Sequence, residues 1–293
     1  MNDLILALGT FDGLHRGHIA VLNEVKALAE GKYTAGALFF DCHPQKVLKG
    51  SSPPLLITAD DKENALKEMG ITPVFVSFSE IKDLSPENFV KLILKEKLSC
   101  KGVVTGENFR FGKNGEGNCK ILCSLCEKYG IIYKKAPSVT YEGELISATR
   151  IRKALSEGKV KDANNMLGRF FSYDFLVVEG NKIGKKYFGF PTINQHFPAD
   201  FINLRYGVYA SRTLVDGVIY PSVTNFGCHP TIGGDLVLSE TCILGFDGDL
   251  YNRKIKVELL DFVRGEKKFA SKEELKEQIR KDSETAAEIF KRL

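Results

Sequence analysis

Residues 9–18 read GTFDGLHRGH, and this stretch decides how the first half of the chain folds. The apolar run LILAL at residues 4–8 precedes it, and an amphipathic run over residues 19–28 follows it. This order predicts a strand, a glycine-rich turn and a helix. His15 and His18 are three residues apart, so they share one face of that helix if it begins beside them. Two imidazoles near the free N–H groups of a helix start favour anionic oxygens, and a nucleoside triphosphate is the natural ligand.

The rest of the first half alternates between apolar runs and helical patterns. Further strands are predicted at residues 35–40, 74–78 and 103–105, and helices at residues 19–30, 62–69, 86–98 and 120–129. Strands that alternate with helices are typical of an α/β domain, here a Rossmann-like parallel sheet covered on both faces. In such sheets ligands bind at the carboxyl ends of the strands, where the histidine motif falls.

The second half has a different pattern. Helical patterns at residues 149–155 and 160–167 are followed by short β runs at residues 175–179, 207–213, 218–223, 241–246 and 254–260. Short β runs separated by Gly, Asp and Asn predict a small antiparallel β-barrel. Ser271 and Glu274 form a capping box for a last helix that ends near Phe290. We place the boundary near Gly168, which gives domains over residues 1–168 and 169–293.

Composition limits the classes of function. The 293 residues carry a net charge of +4 without a Lys/Arg stripe among aromatics, so nucleic acid is not an expected partner. No apolar run approaches the roughly 18 residues of a membrane span, and no signal-peptide pattern is apparent, so no membrane association is expected. The seven scattered cysteines favour the reducing cytoplasm. Cys119, Cys123 and Cys126 have the spacing of iron–sulfur ligands, but also that of one helix face, which we favour.

Three polar segments accompany the histidine motif, and each follows a predicted strand or begins a predicted helix. They are FFDCHP at residues 39–44 with His43, TGENFRFG at residues 105–112 with Asn108 and Arg110, and ISATRIR at residues 146–152 with Ser147, Thr149 and Arg150. Segments at these places can converge on one crevice at the sheet edge. Arginine is suited to bidentate contacts with phosphate, so the last segment adds to an anion site.

The first half lacks two features, and their absence limits the reactions that it could catalyse. It has no glycine-rich loop that ends in Gly-Lys-Ser/Thr, which disfavours γ-phosphoryl transfer of the P-loop type. It also has no carboxylate in an obvious position for a base. A phosphate ester that attacks the α-phosphate of ATP is already anionic and needs charge neutralisation instead of a base. The residue pattern of the first half therefore predicts that this half catalyses magnesium-assisted nucleotidyl transfer.

A second set of motifs lies in the C-terminal half. The segment GKKYFGFPTIN at residues 184–194 contains glycines that could cover phosphates. Thr192 and Asn194, two apart in an extended segment, point the same way and could bind Mg²⁺ together with ATP. Glu240 begins a predicted strand and could accept the proton of a hydroxyl that attacks a γ-phosphate. A loop with Asn225 and the segment FVRGE at residues 262–266 complete the set.

With these motifs the chain resembles the bacterial bifunctional riboflavin kinase/FMN adenylyltransferases, also called prokaryotic FAD synthetases. The resemblance runs from about Leu4 to the last helix. It is carried, in order, by GxFDGxHxGH, FRFG, SxTxIR and GFPTxN. It implies an N-terminal adenylyltransferase that joins FMN to AMP, which gives FAD and pyrophosphate, and a C-terminal kinase that phosphorylates riboflavin.

The resemblance also implies site residues. The catalytic residues would be His15, His18 and Glu240. In the adenylyltransferase, the residues that contact ATP would be Gly9, Phe11, His15, His18, Ser147, Thr149 and Arg150. The residues that contact FMN would be His43, Asn108 and Arg110. In the kinase, the residues that contact ATP would be Gly184, Lys185, Gly189, Thr192 and Asn194. Thr192 and Asn194 would also bind Mg²⁺. The residues that contact the flavin would be Asn225 and Arg264. Lys185 stands where the family usually has arginine.

The expected partners are small molecules, namely ATP, riboflavin and FMN, and we expect a monomer or a weak homo-oligomer in the cytoplasm. Two other interpretations stay open at this point. One is a nucleotidyltransferase that uses the same histidines on another phosphate acceptor. The other is a regulatory protein that binds flavin or nucleotide without catalysis.

Overall fold

A computed structural model of the chain describes residues 3–40, 44–179, 192–231 and 234–293, with side chains omitted at residues 229–236. His43, Gly184, Lys185 and Gly189 lie outside the described residues. The chain divides into two compact units, Met1–Ala148 and Thr149–Leu293.

The helices of the described residues are α1 (Arg16–Ala29), α2 (Pro44–Lys49), α3 (Ala59–Glu68), α4 (Phe78–Ile81), α5 (Pro86–Asn88, continued by a π-helical segment over Phe89–Lys97), α6 (Cys119–Tyr129), α7 (Ala148–Ser156), α8 (Val160–Leu167) and α9 (Lys272–Lys291). The strands are β1 (Leu4–Leu8), β2 (Thr34–Phe40), β3 (Thr72–Val76), β4 (Cys100–Thr105), β5 (Ile132–Lys135), β6 (Thr140–Tyr141), β7 (Glu144–Leu145), β8 (Phe171–Val178), β9 (Thr192–His196), β10 (Gly207–Val215), β11 (Val218–Thr231), β12 (Gly234–Ile243) and β13 (Lys254–Gly265). None of these helices has both the length and the apolar content to span a bilayer.

Five parallel strands form the sheet of the first unit, in the order β3-β2-β1-β4-β5. Side chains of the central strand β1 alternate between two cores: Ile5 and Ala7 pack with the apolar face of α1, and Leu6 and Leu8 pack with α6 and the π-helical segment. A strand that is buried on both faces reads as a continuous apolar run, which explains LILAL. The predicted doubly covered parallel sheet is confirmed.

Strands β3, β4 and β5 of this sheet differ from the sequence-based prediction, and β4 begins at Cys100 instead of residue 103. Strand β3 ends at Val76 because Ser77 precedes α4, and the predicted residue Phe78 is the first residue of that helix. Strand β5 was not predicted. It is a short edge strand, Ile132–Lys135, that pairs only with β4 and is largely exposed, so it carries no apolar run.

Six antiparallel strands of the second unit close into a barrel, in the order β10-β11-β12-β9-β8-β13. Its interior contains a chain of buried hydroxyls, in which Thr224 lies 2.8 Å from both Ser211 and Thr241. Helix α9 packs on the outer face of the barrel, where Ala286 joins the apolar side chains of β10 and β11. The predicted barrel and last helix are confirmed, and the Ser271 hydroxyl caps α9 by accepting the Glu274 N–H at 3.1 Å.

Helices α7 and α8 belong to the unit that contains the barrel. Asn164 of α8 donates from Nδ2 to the carbonyl of Leu259 at 2.9 Å, and its Oδ1 accepts the N–H of Phe171 at 2.7 Å. These bonds tie α8 to strands β13 and β8. The compact units consequently divide after Ala148, earlier in the chain than the boundary expected near Gly168.

Gly207 is required at the start of β10, and its replacement by alanine should destabilise the barrel by about 3 kcal/mol. Its φ is +145°, and an added Cβ would lie 2.2 Å from the carbonyl oxygen of Arg264. Gly217→Ala is the matched control: its φ is +81°, but a Cβ there meets nothing within 4 Å, so about 1 kcal/mol is expected. Thermal unfolding of both variants measures the difference. Equal losses would contradict the steric argument.

Candidate active sites

The turn after β1 has an unusual backbone conformation. Phe11 has φ 51° and Leu14 has φ 41°, and such left-handed conformations cost non-glycine residues about 1–3 kcal/mol each. Both side chains are buried to 2% exposure, so their apolar burial offsets this cost. Strain that the surrounding core maintains is typical of functional turns. Here the turn places His15 directly before α1.

The two histidines of the motif lie against each other at the start of α1. His15 is the N-cap of the helix, and its Nδ1 accepts the N–H of His18 at 3.3 Å. The imidazole rings are stacked, with centroids 3.6 Å apart and planes 15° apart. Because Nδ1 of His15 accepts a hydrogen bond, a neutral His15 carries its proton on Nε2, which is then a donor for an anionic oxygen.

Two glycines make room for this arrangement. An added Cβ at Gly17 would lie 3.1 Å from Cε1 of His15, and one at Gly9 would lie 3.2 Å from the Phe11 ring. The Phe11 ring in turn meets His18 edge-on, with centroids 5.2 Å apart. The glycines of the motif therefore let the side chains at positions 11, 15 and 18 pack on one another.

The charges of Asp12 and Lys62 interact, and neither residue was among the predicted site residues. Asp12 is buried, and its Oδ1 accepts the N–H of Leu56 at 3.0 Å. Lys62 of α3 donates from Nζ to the carbonyl of Thr10 at 3.3 Å. Burial lowers the pKa of Lys62, and the negative charge of Asp12 partly opposes that shift. Nothing in the sequence spacing links α3 to the histidine motif, so only the fold reveals this cation.

Asn108 and Arg110 lie on an exposed loop that follows β4. The loop is closed by two hydrogen bonds between the backbones of Phe111 and Gly117, and Phe111 is buried in the core beneath it. A Cβ at Gly117 would lie 2.5 Å from the Phe111 ring, so this closure requires glycine. The side chains of Asn108 and Arg110 are thus presented to solvent from an anchored loop.

The three clustered cysteines lie on α6 and differ in their surroundings. Cys126 is buried, which raises the pKa of its thiol to about 12, whereas Cys123 is exposed. The thiol of Cys119 donates to the carbonyls of Gly106 and Glu107, at 3.4 and 3.2 Å. In the described part of the chain, no three His, Cys, Asp or Glu side chains are grouped as metal ligands. The burial of Cys126 fits a helix face that packs on the core, and the thiol of Cys119 anchors the loop.

Ser147, Thr149 and Arg150 lie at the start of α7, with Arg150 half-buried. Ser147 follows Ile146, whose carbonyl oxygen would be 3.9 Å from a Cβ at Gly17. Within the first unit, Ser147 therefore follows directly after Ile146, whose backbone lies near the start of α1. Thr149 and Arg150 begin the second unit.

The candidate kinase residues lie in one row across the barrel wall. Strand pairing aligns Asn225 of β11 with Glu240 of β12, and Glu240 with Asn194 of β9. Residues that are directly opposite each other in neighbouring strands point to the same face. Thr192 lies one pair further along that face, opposite Cys242. β12 begins at Gly234, so Glu240 is inside the strand and does not begin it as expected.

A cavity of about 570 Å³ lies over this row, and its size is that of a small-molecule site. It is lined by Thr192, Asn225 and Glu240 from the barrel, while Asn194 is 7% exposed and does not line it. The opposite wall comes from α9 and the segment before it. Burial, and secondarily the negative charge of Glu240, raises the pKa of Cys242 to about 11.

Arg264 lines the same cavity, but its guanidinium contacts Asp282 of α9. Its Nη2 lies 2.8 Å from Oδ2 of Asp282. Asp282 was not among the predicted site residues. A usable signal was present, because Asp282 shares one helix face with Leu275 and Ile279, and an acidic residue in an apolar stripe requires a buried partner.

Comparisons with known proteins identify a family for each half of the chain. Residues 1–150 match the family model for FAD synthetase, and residues 167–290 match that for riboflavin kinase. Proteins named bifunctional riboflavin kinase/FMN adenylyltransferase are similar over nearly their whole length. The one from Haemophilus influenzae is 32% identical, over 97% of this chain and 94% of its own; the one from Bacillus subtilis is 33% identical, over 99% and 93%.

A solved structure described as a macrolide-efflux protein from Streptococcus pneumoniae is also similar, with a TM-score of 0.88 and 26% identity. The match covers 98% of this chain and 94% of that one. The efflux function belongs to the description of that protein alone. Both family models and the curated relatives agree with the motifs and with the two folds, and the chain therefore belongs to the bifunctional riboflavin kinase/FMN adenylyltransferases, which convert riboflavin to FMN and FMN to FAD.

Proposed function

We propose that Glu240 is the base of the kinase and that His15 and His18 stabilise the adenylyl transfer. The observation that carries the kinase assignment is the row Asn194–Glu240–Asn225 beneath a cavity of about 570 Å³. The adenylyltransferase assignment rests on the paired imidazoles at the start of α1.

In the kinase step, the 5′-hydroxyl of riboflavin attacks the γ-phosphorus of ATP. The carboxylate of Glu240 accepts the hydroxyl proton as the new O–P bond forms, and the bond to the bridging β–γ oxygen breaks to release ADP. Asn225, two strand positions from the apolar Val223 in the cavity wall, is a hydrogen-bonding group for the flavin. Arg264 is a further flavin-side residue.

Thr192 and Asn194 are suited to hold Mg²⁺ together with ATP in the kinase. They offer neutral hydroxyl and amide oxygens beside the carboxylate of Glu240, and few protein oxygens plus phosphates are a typical Mg²⁺ environment. When bound, the ion would neutralise charge on the phosphates. Gly184, Gly189 and the ammonium group of Lys185 would contact the same phosphates.

Removal of the Thr192 hydroxyl should weaken the use of magnesium by the kinase. We expect Thr192→Ala to raise the Mg²⁺ concentration for half-maximal FMN formation about tenfold, because one oxygen ligand is lost. Thr192→Ser keeps the oxygen and should retain most of the affinity. Magnesium titrations of both reactions measure the effect. A parallel change in FAD formation would show that the loss is not confined to the kinase.

In the adenylyltransferase step, a phosphate oxygen of FMN attacks the α-phosphorus of ATP. The α–β bridging bond breaks and pyrophosphate leaves, with no proton to remove from the nucleophile. Nε2 of His15 and the ring of His18 supply donors for the phosphate oxygens, and Ser147, Thr149 and Arg150 add a hydroxyl pair and a guanidinium. Gly9 and Phe11 would contact ATP, and His43, Asn108 and Arg110 would contact FMN.

We further propose that the two activities divide near Gly168, where α8 ends, with magnesium-bound ATP as the second substrate of each. A cytoplasmic location fits the thiols of Cys100, Cys119, Cys123, Cys126 and Cys242, which are free. One assay tests the whole scheme. The chain is incubated with riboflavin, ATP and Mg²⁺, and riboflavin, FMN and FAD are separated over time. FMN should appear first and FAD should follow.

A further inference from the structure

Asp282 of α9 is a buried carboxylate that the proposed chemistry does not use. Its side chain is 3% exposed. It accepts from Nε and Nη2 of Arg264, at 3.1 and 2.8 Å, and from Nε2 of Gln278 at 2.9 Å. Burial of a carboxylate is costly unless the carboxylate is paired in this way. The buried Asp282 therefore depends on its contact with Arg264 to offset a large desolvation cost. Asp282 also lines the cavity over Glu240.

The backbone of β13 directs Arg264 toward this carboxylate. Val208 of β10 is paired with Arg264, and the next residue, Tyr209, is paired with Phe262. Val263 is therefore an extra residue on β13, which is a β-bulge. Bulges redirect side chains and often occur beside active sites. The close backbone approach at Gly207 belongs to the same irregularity.

The segment between Arg264 and α9 is fastened at both ends. Arg264 binds the middle of the helix through Asp282, whereas Glu274 in the first turn accepts from Lys267 at 3.0 Å and from the N–H of Ala270 at 3.0 Å. Glu266 and Phe269, between these contacts, form part of the cavity wall. Loss of the Asp282 contact would release one end of that wall.

We propose that Asp282 is a positioning residue for riboflavin in the kinase. It keeps Arg264 and the wall at residues 265–269 in place before the flavin arrives, so binding does not have to order them. Asp282 itself does not contact the reacting atoms. The proposal rests on the assignment of the cavity to the flavin under the proposed function.

The test is Asp282→Asn in the full chain, with Glu284→Gln as the matched control. Glu284 lies on the same helix but is exposed and pairs with Arg280. We expect the KM and the dissociation constant of riboflavin to rise about tenfold in Asp282→Asn. The kcat of the kinase and the KM for ATP should change much less, and adenylylation of added FMN should not change. Titration of riboflavin with the protein, followed by the change in flavin fluorescence, measures the dissociation constant.

Gln278→Leu provides a second variant if Asp282→Asn unfolds the barrel, since it removes one donor and leaves the Arg264–Asp282 pair. A smaller rise in riboflavin KM alone would support the proposal. An unchanged riboflavin dissociation constant in folded Asp282→Asn would overturn it, as would equal losses for riboflavin and ATP. Failure of the wild-type chain to make FMN would instead contradict the proposed function itself.

Discussion

Glu240→Gln is expected to lower the kcat of riboflavin phosphorylation by about 10³-fold, while FMN is still converted to FAD at the wild-type rate. Glutamine has nearly the size of glutamate, but it cannot accept the proton of the attacking hydroxyl. The pairing with Asn194 and Asn225 depends on the backbone and should survive. The KM for riboflavin should therefore change little. The measurement is the initial rate of each reaction in the same purified sample.

Glu258→Gln is a suitable control for this experiment. Glu258 is another barrel carboxylate, on β13, and it pairs with Arg212 outside the cavity lining. Its replacement should leave kinase turnover near wild type. FMN formation by Glu240→Gln within a few-fold of wild type would rule out Glu240 as the base. Loss of both reactions in a folded Glu240→Gln protein would show that the two activities do not occupy separate sites.

Periodicity and turn residues were sufficient to predict the two fold types. The run Leu4–Leu8 is buried on both faces, and barrel strand β8 alternates in burial, so each leaves a direct pattern in the sequence. Edge strand β5 does not, because only one neighbour pairs with it and most of its side chains are exposed. The bulge at Val263 is equally invisible, since it depends on which residue of β10 lies opposite.

Contacts between candidate site residues were predictable where neighbours in sequence are neighbours in space. His15 and His18 meet because they are one helical turn apart, and Gly9 and Gly17 reveal the close packing around them. The pairs Asp12–Lys62 and Arg264–Asp282 join separate elements, and charge alone does not indicate such partners. Strand register likewise determines that Asn225 faces Glu240. Contacts of this kind require the three-dimensional structure.

His15→Asn is expected to lower the kcat/KM of FMN adenylylation by about 10²–10³-fold, because a preorganised donor to the phosphate oxygens is lost. Asparagine is a good N-cap, so its side-chain oxygen can replace Nδ1 in accepting the N–H of His18. The variant thus separates the two roles of His15. His15→Ala should lose the same activity and, in addition, about 1 kcal/mol of stability from the missing cap.

The kinase provides the internal control for the histidine variants, since riboflavin phosphorylation should stay at the wild-type rate in both. Thermal unfolding should show a loss for His15→Ala but not for His15→Asn. If His15→Asn adenylylates FMN normally while His15→Ala does not, His15 acts only as a helix cap. In that case His18, stacked 3.6 Å from it, would remain as the imidazole donor of the motif, and His18→Ala should then abolish FAD formation by itself.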